Sequence, residues 1–364
     1  MSAAAVAGGY AADLVLGDPR RWHPVAGFGQ LALALERRAY APTRRRGALY
    51  AWSLVAAAAL AGELLARIAG RRAALAVLVW AALGGRSLAR EARALGADVR
   101  RGDLPAARAA LPALCGRDPA GLDAPQLCRA VVESVAENTA DAVVGPLVWG
   151  AVAGPAGVAA YRAANTLDAM VGHRDARYAD FGWAAARLDD ALSWPAARAA
   201  AALAALCAPV AGGRPWASWR AWRRDGAAHP SPNAGRVEAA FAGALGVRLG
   251  GPLAYGGRAE LRPQLGDGRA PGTDDIERAV RLSLAVGGVA AAAAAAARAV
   301  AHRHPAAATA RAVGPRIGGF LSGLLASASP LLALASSVGK HPTRARERGR
   351  SRCPLLVRGQ ERGR

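Results

Sequence analysis

Seven stretches of the chain carry no charged side chain, and they limit its possible folds more than any other feature of the sequence. They comprise residues 1–12, 47–62, 73–85, 142–161, 199–213, 282–297 and 317–339. A helix that crosses a bilayer needs about 20 mostly apolar residues. Only 142–161 and 317–339 meet that length unaided. The others must include a flanking Glu63, Arg198 or Arg298, whose long side chain can reach the membrane surface.

Polar blocks separate these stretches at residues 86–141, 162–195 and 214–281. β-branched residues are sparse and do not alternate with polar ones, so little strand is expected. The sequence therefore predicts an all-α, multi-pass integral membrane helical protein with polar helix-loop blocks between the spans. Within 88–115 the apolar spacing is helical, and Gly102 with Asp103 should break it into two helices. Ala-rich helices buried in a soluble protein would look much the same, so that alternative stays open.

The charge pattern favours a lipid bilayer over nucleic acid as a partner. Lys and Arg number 47 against 26 Asp and Glu, and Lys340 is the only lysine. The arginines sit singly or in short groups at the ends of apolar stretches and form no basic stripe with interleaved aromatic residues. The four cysteines are too scattered for a disulfide framework or a zinc site, so we expect reduced thiols. Asp13 follows closely on a first apolar run without basic residues, which argues against a cleaved signal peptide.

The chain divides into three parts on this pattern. Residues 1–300 are expected to form one membrane domain, and 301–342 add a further apolar segment. The tail 343–364 is rich in Arg and Gly and holds little that could pack, so disorder is expected there.

An acidic stripe is the first candidate site. Glu133, Glu137 and Asp141 follow one another at a spacing of four, which places them along one helical face. Like charges at this spacing repel each other unless a cation neutralises them. Mg²⁺ fits, because it is held by one or two carboxylates together with substrate phosphates. The alternative is a solvated acidic face that pairs with Arg129 and other arginines.

The second candidate directly follows the apolar stretch 142–161. Asn165 and Asp168 share a helical face, and Gly172 can end the helix so that His173 lies in a loop. Ionisable groups at such a boundary are functional candidates, although an interfacial cap that only satisfies helix ends would have the same pattern. The polar segment continues to Arg187 and on to Asp189 and Asp190.

The third candidate is the sequence His229-Pro-Ser-Pro-Asn-Ala-Gly235. Ser231 or Asn233 is suited to cap the following helix. The start of that helix could bind a phosphate beside His229 and Arg236. Gly235 in the first turn suggests the close approach of another group, and an ordinary proline-rich turn is the alternative.

Two further segments are expected to be turns, and several common motifs are missing. Residues 13–24 could form an anion-binding turn or an ordinary tight turn, and 265–269 a loop. The sequence contains no P-loop, no nucleophile elbow and no His-Glu-x-x-His. Carboxylates, arginines, histidines and amides would have to carry any chemistry, which favours metal-assisted handling of phosphates.

Several blocks occur in a characteristic order over about residues 12–285: Leu16–Arg20 with His23–Pro24, Gly116–Asp118, Val131–Thr139, Asn165–Asp168 with Met170–Gly172, Phe181–Trp183 with Ala186–Asp190, and His229–Gly235 followed by Ala242–Gly250. In these blocks the chain resembles the CobD/CbiB family of cobalamin biosynthesis, the adenosylcobinamide-phosphate (cobinamide) synthases. The number of separate blocks and their common order make this resemblance specific to the family.

The resemblance implies a multi-pass protein of the inner (plasma) membrane that attaches aminopropanol, or its phosphate, to the ring D propionate of (adenosyl)cobyric acid as an amide. A carboxylate must be activated before it condenses with an amine in water, so ATP as cosubstrate and Mg²⁺ are expected. The expected partners are the corrinoid, the amine, the bilayer and other enzymes of cobalamin assembly, without nucleic acid. The active site should face the cytoplasm, where the substrates are.

Residue roles follow from this resemblance as expectations. Mg²⁺ would be held by Glu133, Glu137 and Asp141. The catalytic residues would be Glu133, Glu137, Asn138, Asp168 and His173. Binding of substrate or phosphate would fall to Asn165, Arg187, Asp190, His229, Ser231, Asn233 and Gly235.

The chain also departs from the family pattern. Ala140 stands where relatives usually have Val, Ser193 where many have Asn, and Arg236-Val237 where Trp-Pro is frequent. The region beyond about residue 300 does not resemble the family. Two other functions remain open: a Mg²⁺-dependent membrane enzyme of diphosphates similar to a prenyl transferase, and a membrane scaffold that binds a corrinoid without chemistry.

Overall fold

The computed structural model describes residues 3–18, 23–173, 175–255 and 258–303. These ranges hold the helices α1 (Ala3–Leu16), α2 (Pro24–Ala39), α3 (Arg44–Ala69), α4 (Arg71–Ala82), α5 (Gly85–Arg100), α6 (Leu104–Ala110), α7 (Ala124–Thr139), α8 (Gly145–Val171), α9 (Trp183–Cys207), α10 (Pro215–Asp225), α11 (Ala234–Leu245) and α12 (Thr273–Arg303). Short 3-10 turns cover Leu111–Ala113 and Ala208–Ala211, and a π-helical turn covers Ala140–Val144. An antiparallel hairpin joins β1 (Leu249–Tyr255) to β2 (Arg258–Leu265).

The predicted fold class is confirmed. Within the described residues, five segments are long and apolar enough to cross a membrane, namely Arg44–Ala69, Arg71–Arg100, Ala124–Val171, Trp183–Ala211 and Thr273–Ala301. The chain is thus an all-α multi-pass membrane protein, with one hairpin as its sheet over the described residues. The apolar stretch 317–339 and the tail 343–364 lie outside the described residues, as does nearly all of the segment 301–342.

Local chemistry sets the helix ends in the polar blocks. As predicted, the chain breaks at Gly102 and Asp103 into α5 and α6. The Asp103 carboxylate accepts a hydrogen bond from the Ala106 N–H at 3.0 Å and so caps α6. At the start of α7, Asp123 and Gln126 form a reciprocal capping box.

The stretch 142–161 is not one straight span, in contrast to the expectation from its length. Gly154 adopts φ 65° and ψ −146°, and Pro155 follows it, so α8 reverses direction there. The Tyr161 hydroxyl donates a hydrogen bond to the Asp141 carbonyl at 3.1 Å. Residues 20 positions apart in a straight helix would lie roughly 30 Å apart. The two halves of α8 therefore pack side by side as a helical hairpin.

Glycines allow the two halves of this hairpin to approach closely. A Cβ atom at Gly145 would lie 2.2 Å from the Tyr161 ring, and one at Gly157 would lie 2.7 Å from the Trp149 carbonyl oxygen. Small residues at helix interfaces are typical of membrane proteins, where tight backbone packing replaces the hydrophobic effect.

The turn at Gly154 marks one end of the helical bundle, which we call the far end. A Cβ at Gly154 would lie 2.8 Å from a guanidinium nitrogen of Arg298 and 3.8 Å from one of Arg71. Arg71 also pairs with Glu63 at 2.6 Å. The far end thus gathers the last turns of α3, the start of α4 and the last turns of α12.

The opposite end, which we call the cleft end, holds the other termini of the same helices. The Gly84 N–H, between α4 and α5, donates to the Ala142 carbonyl of the π-helical turn at 3.1 Å. At the start of α3, a Cβ on Gly47 would meet the Phe181 carbonyl at 1.8 Å. The polar helices and the hairpin pack at this end.

Candidate functional site

A π-helical turn lies at the centre of the cleft end. It joins α7 to α8 and carries Asp141. Such widened turns are frequent at functional sites. Two of its carbonyls are satisfied from other helices, since the Tyr161 hydroxyl donates to Asp141 and the Gly84 N–H donates to Ala142. The turn is therefore held in place by α8 and by the α4–α5 connection, and Asp141 does not follow the regular α-helical spacing of Glu133 and Glu137.

Four acidic side chains meet beside this turn. Asp141 interacts electrostatically with Asp189, Glu137 and Asp168, and we call these four residues the carboxylate cluster. Glu137 is exposed to solvent, whereas the three aspartates are half-buried, so the cluster lines a cleft that water can enter. Carboxylates among membrane-spanning helices are costly and usually functional.

Amide and hydroxyl groups orient the cluster. The Asn165 side chain donates to Asp189 at 3.3 Å, and the Ser193 hydroxyl donates to the same carboxylate oxygen at 3.3 Å. Asn165 in turn accepts a hydrogen bond from Arg162 at 3.1 Å. Ser193 thus makes a polar contact to the cluster.

A small cavity borders the cluster near the end of α1 and the start of α2, and we call it the N-terminal cavity. It measures about 20 Å³ and is lined by Asp18, His23, Asn138 and Arg162 together with apolar side chains. His23 caps α2, because its Nδ1 accepts the Val25 N–H at 3.2 Å. Burial lowers the pKa of His23. The neutral ring then carries its proton on Nε2 and can donate a hydrogen bond.

A second cavity of about 20 Å³ lies on the other side of α7, and we call it the arginine cavity. Its charged lining consists of Arg117, Glu133, Glu137, Glu238 and Arg262. Glu133 is buried, pairs with Arg117 and accepts the Gly250 N–H at 2.7 Å. Burial, followed by the nearby charges of Glu133 and Glu137, raises the pKa of Glu238 well above its ordinary value. A protonated Glu238 limits the repulsion among these three acids.

The β-hairpin forms one wall of the arginine cavity. Arg129 donates to the carbonyls of Gly250 and Pro252, at 2.6 Å in each case. Arg129 therefore holds the hairpin, and its charge also interacts with Glu133 of the acidic stripe. From the second strand, an Arg262 guanidinium nitrogen lies 2.6 Å from His229 Nε2.

The structure does not gather the predicted metal trio at one position, and metal binding by these residues stays a prediction. Among the residues that the structure describes, no group of three or more His, Cys, Asp or Glu side chains is arranged to hold a metal ion. Glu133 is engaged by Arg117 and Gly250, whereas Asp141 belongs to the carboxylate cluster beyond the π-helical turn. Glu137 lies between the two groups.

The His229–Gly235 segment is a tightly bonded loop before α11. Ser231 satisfies the helix start, because its hydroxyl accepts the N–H groups of Asn233 and Ala234 at 3.3 and 3.1 Å. Asn233 instead links to α9, donating to the Asp190 carbonyl at 2.8 Å and accepting from Arg198 at 2.7 Å. Several backbone N–H groups that were expected to bind a phosphate thus donate hydrogen bonds within the loop. Phosphate binding at this segment stays a prediction.

The group that approaches Gly235 closely is the side chain of His229. A Cβ at Gly235 would lie 2.1 Å from the His229 Cβ. The His229 Nδ1 accepts the Ser231 N–H at 3.0 Å, and its Nε2 lies 4.0 Å from Glu238. The glycine therefore lets His229 pack under the loop toward the arginine cavity.

Two of the predicted site residues lie at the surface. His173 is exposed on the loop after α8, with its ring 6.4 Å from that of Tyr178. Arg187 is exposed and lies 3.7 Å from the Asp190 carboxylate. Neither lines the two cavities described above.

Seven cleft residues were not among the predicted site residues: Asp18, His23, Arg117, Arg162, Asp189, Glu238 and Arg262. Asp18, His23, Arg117 and Asp189 lie inside the sequence blocks that carry the family resemblance, and that signal could have found them. Glu238 sits in an apolar helix and Arg262 in a strand, and no local pattern marks either residue.

Comparison with known proteins places the chain in a family. A family model described as CobD/Cbib protein matches residues 6–283. The chain belongs to this family. It is 56% identical over 277 residues to the cobalamin biosynthesis protein CobD of Mycobacterium tuberculosis, covering 75% of this chain and 88% of the relative. The CobD proteins of Chromobacterium violaceum and Rhizobium meliloti are 45% and 42% identical, each match covering 74% of this chain and 88% of the relative. No solved structure shows significant similarity.

Membership in the CobD/Cbib family makes the chain a membrane-embedded enzyme of cobalamin biosynthesis, and this role implies a corrinoid substrate. The match ends at residue 283, within α12. The carboxylate cluster and both cavities therefore lie in the part of the chain that is shared with the family.

Proposed function

We propose that this chain attaches aminopropanol or its phosphate to the ring D propionate of (adenosyl)cobyric acid as an amide, with ATP as cosubstrate and with Mg²⁺. One observation carries the proposal. The chain belongs to a family of cobalamin biosynthesis, and its carboxylate cluster lies directly beside the arginine cavity at one end of the apolar bundle. An amide-forming ligase needs both of these environments, because one must stabilise the activated carboxylate and the other must bind and deprotonate the amine.

The arginines are suited to stabilise the carboxylate of the corrinoid as it is activated and attacked. A carboxylate becomes reactive toward an amine once ATP has converted it to an acyl phosphate, and the attack then builds negative charge on the acyl oxygen. Preorganised donors stabilise such charge. Arg117 and Arg262 line the arginine cavity, and Arg162 lines the N-terminal cavity. The Nε2–H of a neutral His23 is a further donor.

The carboxylate cluster is suited to bind and deprotonate the amine. An aminopropanol amine enters from water as an ammonium ion, which the acidic side chains attract, and it must lose a proton before its nitrogen can attack. Asp168, which interacts with Asp189 and Glu137, is the proposed acceptor of that proton. Nitrogen then forms the bond to the acyl carbon as phosphate leaves.

The donor atoms of the cluster also fit Mg²⁺ by type. Mg²⁺ prefers carboxylate oxygens and is usually bound by one or two of them together with substrate phosphates, so a cage of three acids is not required. Glu137 and Asp141 are the residues proposed to hold it. When bound, the ion neutralises phosphate charge.

We further propose that the protein lies in the plasma membrane with its cleft end toward the cytoplasm. That end is rich in arginine, including Arg44–Arg46 in the first turn of α3 and Arg100 with Arg101 at the end of α5. At the far end the arginines of the described residues are fewer, including Arg67, Arg71, Arg72 and Arg298. The positive-inside rule places the arginine-rich side in the cytoplasm.

The test uses membranes from cells that express the chain. They are incubated with cobyric acid, ATP, Mg²⁺ and either aminopropanol or its phosphate, and the corrinoid products are separated by mass. We expect an amide product with at least one of the two amines and none without ATP. Absence of product with both amines, in membranes that still bind cobyric acid, would instead support a corrinoid-binding scaffold.

A further inference from the structure

α9 is long and apolar enough to cross a membrane as part of the segment Trp183–Ala211, yet both ends of this segment lie at the same end of the bundle. At its start, the Trp183 ring lies 5.5 Å from the guanidinium carbon of Arg44, the first residue of α3. At its end, the Ala211 carbonyl accepts a hydrogen bond at 2.8 Å from Arg278, in the second turn of α12.

The starts of α3 and α12 are both at the cleft end. The last turns of α3 and α12 lie near Gly154 at the far end, where Glu63, Arg71 and Arg298 gather. A helix that crosses the membrane must place its two ends on opposite sides. We therefore propose that α9 does not cross but lies along the membrane surface at the cleft end, with its exposed stripe and the adjoining face of α10 in the lipid headgroup layer.

The stripe has the composition of an interfacial helix. Exposed side chains recur every three or four residues in the first half of α9, at Trp183, Arg187, Ala191 and Trp194, and the same row continues after half-buried Arg198 with Ala202 and Leu206. The opposite face is lined by buried alanines that pack on the protein core. Tryptophan and arginine along one exposed edge are typical of helices that lie at the level of the lipid headgroups.

Arg198 lies between Trp194 and Ala202, well inside α9, and its contacts fit a surface position. It stacks on the Trp194 ring at 4.4 Å and donates to the Pro232 carbonyl at 3.1 Å. Pro232 belongs to the polar loop before α11. An arginine near the midpoint of a lipid-facing crossing helix would be costly, whereas at the headgroup layer it can contact both the loop and lipid phosphates.

α10 continues the same surface. It begins four residues after Ala211, is too short to cross, and exposes Trp216 and Trp219 together with Arg220 and Arg223. The exposed fraction of the Trp216 side chain is 68%. Because these large aromatic groups stand beside positive charges, a bilayer with anionic headgroups complements the surface better than another apolar protein face does.

The test measures depth in the membrane by spin labelling. In a chain whose native cysteines are replaced by alanine, single cysteines are placed at Ala191, Ala202 and Leu206 and reconstituted in vesicles of phosphatidylethanolamine and phosphatidylglycerol. Relative accessibility to oxygen and to a nickel chelate gives the depth of each label. A matched series on the crossing helix α3 uses its exposed residues Leu49, Leu60 and Leu64, which have identical spacing.

We expect the three α9 labels to share one depth near the headgroups. The depths of the α3 labels at Leu49 and Leu64 should differ by roughly 22 Å, at 1.5 Å per residue. A depth change along α9 as large as that along α3 would overturn the proposal. Labels on α9 that are accessible only to the nickel chelate, or to neither reagent, would also overturn it, since the stripe would then face water or another protein.

Discussion

At the scale of single residues, Glu137 and Asp168 carry the strongest functional expectation, because both belong to the carboxylate cluster. We expect Asp168→Ala to lower cobinamide formation at least about 100-fold, the usual range for removing a general acid–base group. Glu137→Ala should lower it as well, because it removes a residue proposed to hold Mg²⁺. The measurement is product formed per amount of membrane-inserted protein. Asp274→Ala is the matched control, because Asp274 is highly exposed and pairs with Arg100.

The comparison requires that each variant is inserted and folded correctly. Membrane fractionation measures insertion, and the stability of the purified variant in detergent measures folding. If both cluster variants inserted normally and kept full activity, the assignment of the cluster to the active site would be wrong. Loss of activity in the Asp274 variant as well would point to a general effect of removing acidic residues.

Glu238 gives a prediction for pH dependence. Its raised pKa, caused first by burial, means that the folded protein holds this proton more tightly than the unfolded chain. The contribution of Glu238 to the free energy of unfolding therefore falls as pH rises above the ordinary value of 4.5, and it levels off beyond the folded pKa. We expect Glu238→Gln to raise the Tm in detergent at pH 8 and to leave it nearly unchanged at pH 4.

The matched comparison is Glu91→Gln, since Glu91 pairs with Arg90 at the surface and should show no such pH-dependent gain. Each additional 1 kcal/mol corresponds to a Tm increase of roughly 2–4 °C in a domain of this size class. A Glu238→Gln variant that lost stability at pH 8 would show that the ionised carboxylate is favoured in the fold.

At the scale of elements, the α8 hairpin depends on the Tyr161 hydroxyl. This group satisfies a carbonyl that the π-helical turn exposes, and the Tyr161 ring is fully buried against Gly145. We expect Tyr161→Phe to destabilise the protein by about 1–3 kcal/mol, because the Asp141 carbonyl loses its partner in a buried place. Thermal unfolding in detergent measures the change.

Tyr40→Phe serves as the control for the loss of a tyrosine hydroxyl. The Tyr40 hydroxyl donates to the Arg177 carbonyl at 2.9 Å, but at an exposed position where water can replace it. Equal destabilisation by the two substitutions would contradict a special role of Tyr161 in holding the hairpin.

Elements differ in how far the sequence predicts them. The break of 88–115 into α5 and α6 was predicted correctly, because Gly102 and Asp103 act locally. The reversal of α8 was not predicted, since Gly154-Pro155 lies in an uninterrupted apolar stretch and the turn depends on packing between residues far apart, such as Gly145 and Tyr161. The π-helical turn likewise needs partners from α4–α5 and α8, which helical spacing cannot show.

At the scale of the whole molecule, the site joins segments that are distant in sequence. His23 at the start of α2, the α7 residue Asn138 and the α8 residue Arg162 meet in one cavity. Individual motifs indicated acidic and phosphate-binding chemistry, but only the fold shows that Arg117 pairs with Glu133. The family resemblance, which covers all these segments at once, was the one sequence signal that joined them.

The orientation of the molecule gives a last prediction. Ala179 lies at the cleft end, in the exposed loop whose Asp180 pairs with Arg44 at 3.1 Å, and Ala69 is exposed at the far end where α3 finishes. In a cysteine-free background, Ala179→Cys should react with a membrane-impermeant maleimide only in inside-out vesicles, and Ala69→Cys only in intact spheroplasts. This outcome follows if the arginine-rich cleft end faces the cytoplasm, where ATP is available. The opposite labelling pattern would place the carboxylate cluster on the outer side, out of reach of ATP, and the proposed reaction could not occur there.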